Sequence, residues 1–87
     1  MCDERMVIID RFVCLRQEDV VLPSTPMLFR RLEDALDFVM EKLDEYRVGE
    51  IRVFSFENTL EVQGIVDIDG EEWVKYVVHI AYNVRLR

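Results

Sequence analysis

His79 is the only histidine in this chain, and no other residue able to do chemistry stands at a useful spacing from it. A zinc site needs further Cys, His or carboxylate ligands at short spacings, and the two cysteines, Cys2 and Cys14, form no such pattern with His79. Ser24, Ser55, Cys2 and Cys14 are the candidate nucleophiles, and none lies in a motif pairing it with a base. Asp67-Ile68-Asp69-Gly70-Glu71-Glu72 imitates part of a calcium loop. It lacks the later ligands and flanking helices of such a loop, and turn formation accounts for Asp69-Gly70. No glycine-rich phosphate loop is present. The chemistry therefore points away from an enzyme and requires no metal or cofactor.

What remains is surface. The 87 residues carry 18 acids against 11 bases, a net charge of −7, which disfavours nonspecific nucleic-acid binding. The chain is 51% apolar and 33% charged, an ordinary globular balance, and its length suits one domain over residues 1–87. No apolar run approaches the ~20 residues of a membrane-spanning helix. Met1–Arg5 is charged, lacks the layout of a signal peptide, and is expected to be flexible. Two cysteines make no disulfide framework, and Cys14 reads as a small core residue, so a reduced cytoplasmic setting is expected.

The elements that position this surface follow from periodicity. Met6–Arg16 has apolar residues on both parities and reads as an interior strand, with Asp10-Arg11 as a bulge. Val20-Val21-Leu22 suggests a short strand before the irregular Pro23-Ser24-Thr25-Pro26. Leu32, Leu36, Val39, Met40 and Leu43 recur at helical spacing, predicting a helix from about Leu32 to Tyr46 stopped by Gly49. Its start is open, because Thr25-Pro26 is also a good cap. Glu50–Arg87 reads as three strands. A two-residue loop at Asn58-Thr59 pairs Glu57 with Leu60 and Val53 with Gly64. Parity then favours a three-residue loop, Ile68-Asp69-Gly70, with Gly70 in the left-handed position of a bulge. The long last strand is expected to pair with the N-terminal one. The predicted fold is α+β, a two-layer sandwich of one helix on a four- or five-stranded, mostly antiparallel sheet, in the order β(β)αβββ.

This register places Ile51, Val53, Leu60, Val62, Val66, Val74, Tyr76, Val78 and Ile80 under the helix. Phe54, Phe56, Ile65, Trp73 and Val77 fall on the opposite face among polar residues. One helix covers one face, so the second apolar set asks for a partner, and Phe and Trp are common interface anchors. On the helix, Phe38 faces away from the apolar stripe, among Asp34, Glu41 and Glu45 with Asp37 nearby. An aromatic in an acidic field suits a basic protein surface. The resulting expectation is a protein-binding module, not an enzyme. Small acidic inhibitors that act by occlusion, such as viral anti-defence or toxin-immunity proteins, share this profile of size, charge and missing chemistry. Two alternatives are a homodimer (or subunit of a larger complex) that buries the same face, and a single-stranded nucleic-acid binder that stacks bases on Trp73. Glu61 and Asp67 among the aromatics count against nucleic acid.

Overall fold

The computed structural model describes residues 5–15, the backbone of 20–21, and residues 24–85. Cys2, Leu22 and Pro23 lie outside that set, as does most of the segment expected to be flexible, whereas Arg5 already opens the first strand. The elements are β1 (Arg5–Cys14), β2 (Val20–Val21), β3 (Met27–Phe29), α1 (Leu32–Glu45), β4 (Glu50–Phe56), β5 (Thr59–Ile68) and β6 (Glu71–Arg85). They form an α+β fold, one helix on an antiparallel sheet of order β2-β1-β6-β5-β4. The short β3 also pairs with β1, so β2 and β3 lie end to end along one edge.

β1 and the long β6 are interior strands, and their partners run apolar on the helix side. Val7, Ile9, Phe12 and Cys14 of β1, Leu60 and Val62 of β5, and Tyr76, Val78 and Ile80 of β6 pack with Ala35, Val39 and Leu43 of α1. Phe12, Ile9, Leu43 and Ile80 are fully enclosed, and each large aliphatic or aromatic side chain so hidden contributes about 1.5–3 kcal/mol. Glu33 and Asp34 in the first turn of α1 complement the helix dipole. Its end differs from the expected glycine stop. Arg47 takes the left-handed conformation at φ 60°, its N–H donates to the Asp44 carbonyl and that of Val48 to the Leu43 carbonyl. This pattern closes the helix two residues before Gly49.

Both hairpins correct the expected registers. The first turn is Glu57-Asn58, with Glu57 at φ 52°, so Phe56 pairs with Thr59, Ser55 with Leu60 and Val53 with Val62. The Thr59 hydroxyl donates to the Phe56 carbonyl at 2.7 Å and locks this closure. The second turn is the two-residue Asp69-Gly70, both at positive φ (53° and 84°), closed by Ile68 opposite Glu71. The Asp67 carboxylate accepts from the Gly70 N–H at 2.9 Å. The parity conflict that argued for a longer loop is resolved further along the strand. Gly64 pairs with Tyr76 but Ile65 with Val74, leaving Lys75 as an extra residue in β6. A bulge inside the strand does what an odd loop would have done. Two more bulges bend the β1–β6 ladder, at Asp10 and beside Asn83, whose φ is 59°.

The Lys75 bulge changes which residues share a face. Trp73 pairs with Val66, whose parity is that of Leu60, Val62 and Gly64, so Trp73 belongs to the helix side. Val74, expected under the helix, sits opposite Ile65 on the other side.

Candidate functional site

β4 is the last strand of the sheet, and all seven of its residues are exposed. Its position explains this. The helix makes its main contacts with β1, β3 and β6, and β4 lies beyond β5 at the end of the strand order. Residues of both parities therefore stand in water: Ile51 and Val53 on the helix side, Phe54 and Phe56 on the other. Phe56 is 73% exposed, Phe54 52% and Val53 48%. Ile51 and Val53 were expected in the core, and they miss it because they stand one strand beyond the helix.

The strand is nevertheless firmly placed. It pairs with β5 along its whole length, from Glu50 opposite Ile65 to Phe56 opposite Thr59. Tyr82 on β6 pins the hairpin tip, with its hydroxyl donating to the Glu57 carbonyl at 2.8 Å and its N–H to the Asn58 carbonyl at 2.9 Å. Arg52 bonds Glu50 at 2.6 Å and Glu72 at 3.0 Å. The hydrogen bond from Arg52 holds the Glu50 carboxyl below the usual carboxylate range, and the two acids raise the arginine further. Antiparallel ladders alternate, so every second residue of an edge strand turns its N–H and C=O outward. With Phe56 and Thr59 closing the turn, those residues are Ile51, Val53 and Ser55. Among the described residues nothing pairs with that edge.

The expected aromatic face is split. Phe54 and Phe56 are neighbours on β4. Ile65 is only 2% exposed and unavailable as a contact, and Val77 is half-buried between Val13 and Gln63. Trp73 is 37% exposed on the opposite side of the sheet, moved there by the bulge. Phe38 does not stand open on the helix. Its ring centroid lies 5.8 Å from that of Phe29, and the Lys42 ammonium sits 5.7 Å from its centre. β3 wraps beside the helix and covers the position that the helical pattern placed in solvent. Of the acids around it, Asp34 is bonded to Arg31 and Glu45 is paired with Lys42, while Asp37 and Glu41 are exposed.

One feature of the polar sheet face was not expected. The bulge at Asp10 aims its carboxylate at His79, with Nδ1 to Oδ1 at 2.6 Å. Arg11 and Glu61, both opposite His79, join them around an open groove of about 390 Å³. The visible signal was Asp10-Arg11 interrupting an apolar strand. Among the described residues that line it there is no Ser, Thr, Cys or Lys nucleophile. Among the described residues, no three metal-ligating side chains converge. No described helix is long and apolar enough to cross a membrane. Comparison with known proteins finds no matching family model, no similar curated protein and no similar solved structure.

Proposed function

We propose that this chain is a small acidic, non-enzymatic protein-binding module that takes its partner by strand addition at β4. The observation that supports this reading is a seven-residue edge strand with apolar side chains exposed on both faces. Proteins normally blunt such an edge with charged side chains (lysine above all), proline, a bulge or a very short strand. This chain does so at the opposite edge, where β2 and β3 are two and three residues long and Pro26 immediately precedes β3. At β4 the strand has no Lys, no Pro and an unbroken register, and its two charged residues, Glu50 and Arg52, are bonded to each other on one face. Strand addition supplies affinity through main-chain hydrogen bonds and specificity through alternate side chains. Phe54 and Phe56 would anchor one face, and Ile51 and Val53 the other.

The test compares the wild-type protein with Val53→Pro as bait for partners from its own source cells. The substitution removes one outward N–H but leaves the bonds to β5 intact, and proline is tolerated on an edge. A partner held by wild type and lost by Val53→Pro supports strand addition. Partners held equally by both place binding elsewhere and refute it.

A further inference from the structure

We infer that the occupant of the β4 edge is a second copy of this chain, paired antiparallel about a twofold axis through Val53. This rests on the strand-addition reading and names its partner.

The register is set by the strand itself. Ile51, Val53 and Ser55 carry the outward N–H and C=O groups, so a twofold at Val53 pairs Val53 with its own copy and Ile51 with Ser55 of the other chain. All three outward-facing residues then pair, which no shifted antiparallel register achieves. Centring on Phe54 instead would send Ile51 opposite Glu57, which lies in the turn at positive φ. Centring on Arg52 would face arginine with arginine, a destabilising pair.

Side-chain chemistry fits the same register. On the helix side the contact is Val53 on Val53, flanked by Ile51 and Ser55. On the other face Arg52 meets Phe54 of the second copy, a cation–aromatic pairing, and Glu50 meets Phe56. No acid faces an acid. This matters because two chains of net charge −7 repel each other. β4 is a neutral strip on an acidic protein, with Glu50 and Arg52 cancelling. It is a poor landing site for a partner recruited by charge and a suitable one for a strand of equal neutrality.

Area sets the upper limit of the contact. Taking about 200 Å² for a whole Phe side chain, the exposed fractions of Phe54, Phe56, Val53 and Ile51 leave on the order of 400 Å² of apolar surface per copy. Two copies, with the backbone edge added, bury at most roughly the 1,000 Å² at which specific interfaces begin. A twofold perpendicular to the sheet keeps both helices on one side, and the product is one continuous sheet of twelve strands, ten strands wide because β2 and β3 lie end to end. The association is isologous, so it closes at two chains and leaves no open β4 edge.

The test is light scattering coupled to size exclusion, from micromolar to submillimolar protein, on wild type, Val53→Pro and Phe56→Glu. Circular dichroism checks that each variant is folded. Phe56 is so exposed that its replacement leaves the core untouched, which protects the experiment if Val53→Pro misfolds. The expected result is a wild-type dimer that persists at high salt, with both variants monomeric. A wild-type monomer across the range overturns self-pairing while leaving strand addition to the bait comparison above. A dimer unaffected by either variant overturns the β4 interface.

Discussion

Gly64 on β5 lies tight against α1 and β6, and replacing it with alanine tests that packing. A Cβ there would meet Val48 Cγ2 at 3.0 Å, Leu43 Cδ2 at 3.2 Å and Tyr76 Cβ at 3.3 Å. Leu43 and Tyr76 have little room to retreat. Leu43 is fully buried, Tyr76 is 7% exposed with its ring stacked 5.0 Å from Tyr46, and Val48 follows the helix-closing turn. Overpacking of this kind costs about 1–3 kcal/mol. Gly64 does not sit at positive φ, so alanine also restricts the unfolded chain and returns about 0.4–1 kcal/mol. The net expectation is a loss of about 1–2 kcal/mol, a fall of about 5–15 °C in Tm for a domain of this size. Thermal unfolding followed by circular dichroism measures it. The mechanism makes a sharper demand: Val48→Ala removes the nearest clashing methyl, so the double variant must be less destabilised than the two single costs added together. A Gly64→Ala protein as stable as wild type, or strict additivity with Val48→Ala, would refute this packing.

Three further outcomes are expected. Arg47→Gly relieves a left-handed backbone at φ 60° and should raise stability by about 0.5–1 kcal/mol in denaturant unfolding, the reverse of the usual effect of adding glycine. Phe38→Ala strips a ring packed on Phe29 and should cost about 1–2 kcal/mol, whereas an open surface aromatic would cost about 0.5 kcal/mol or less. The Glu50 carboxyl is held below its ordinary range by Arg52, so its ionised form favours the folded state above the ordinary carboxylate range, and that contribution is lost as pH falls through the depressed folded value. Both partners are exposed, so salt screens the effect. An NMR titration should find Glu50 titrating below the ordinary range in wild type and returning to it in Arg52→Ala.

The parts of the fold legible in the sequence are those fixed by long periodic patterns. Leu32, Leu36, Val39, Met40 and Leu43 repeat at helical spacing across α1, and the alternation of Tyr76, Val78 and Ile80 marks a half-buried strand. Both depend on many residues agreeing. The errors came from single residues. Alternation shows that one residue too many lies between Val66 and Tyr76, but not where the ladder absorbs it. The loop and Lys75 satisfy the pattern equally, and only the second leaves Asp69-Gly70 its favoured two-residue turn. That choice moved Trp73 across the sheet and dissolved the expected patch. Phe38 was misplaced because a helical pattern describes one helix and is blind to β3, a three-residue strand laid beside it. Phe54 and Phe56 were singled out for standing on an uncovered face, and they are exposed. The further reason for their exposure, shared with Ile51 and Val53, is that β4 ends the strand order, and parity along a chain does not encode strand order. Asp10 and His79 are 69 residues apart and meet only because β1 pairs with β6.

The role proposed for the outer edge of β4 is to bind by pairing with another strand. Residue-resolved amide hydrogen exchange, read at low and high protein concentration, tests it most directly. The amides of Ile51, Val53 and Ser55 face that edge, while those of Arg52, Phe54 and Phe56 face β5. If a second copy closes the edge, the first three exchange rapidly in dilute protein and become protected as concentration rises, while the second three stay protected throughout. Fast exchange of Ile51, Val53 and Ser55 at every concentration would contradict self-pairing. Protection of the same three amides in the dilute monomer would mean that the chain covers its own edge, and would contradict the binding site itself.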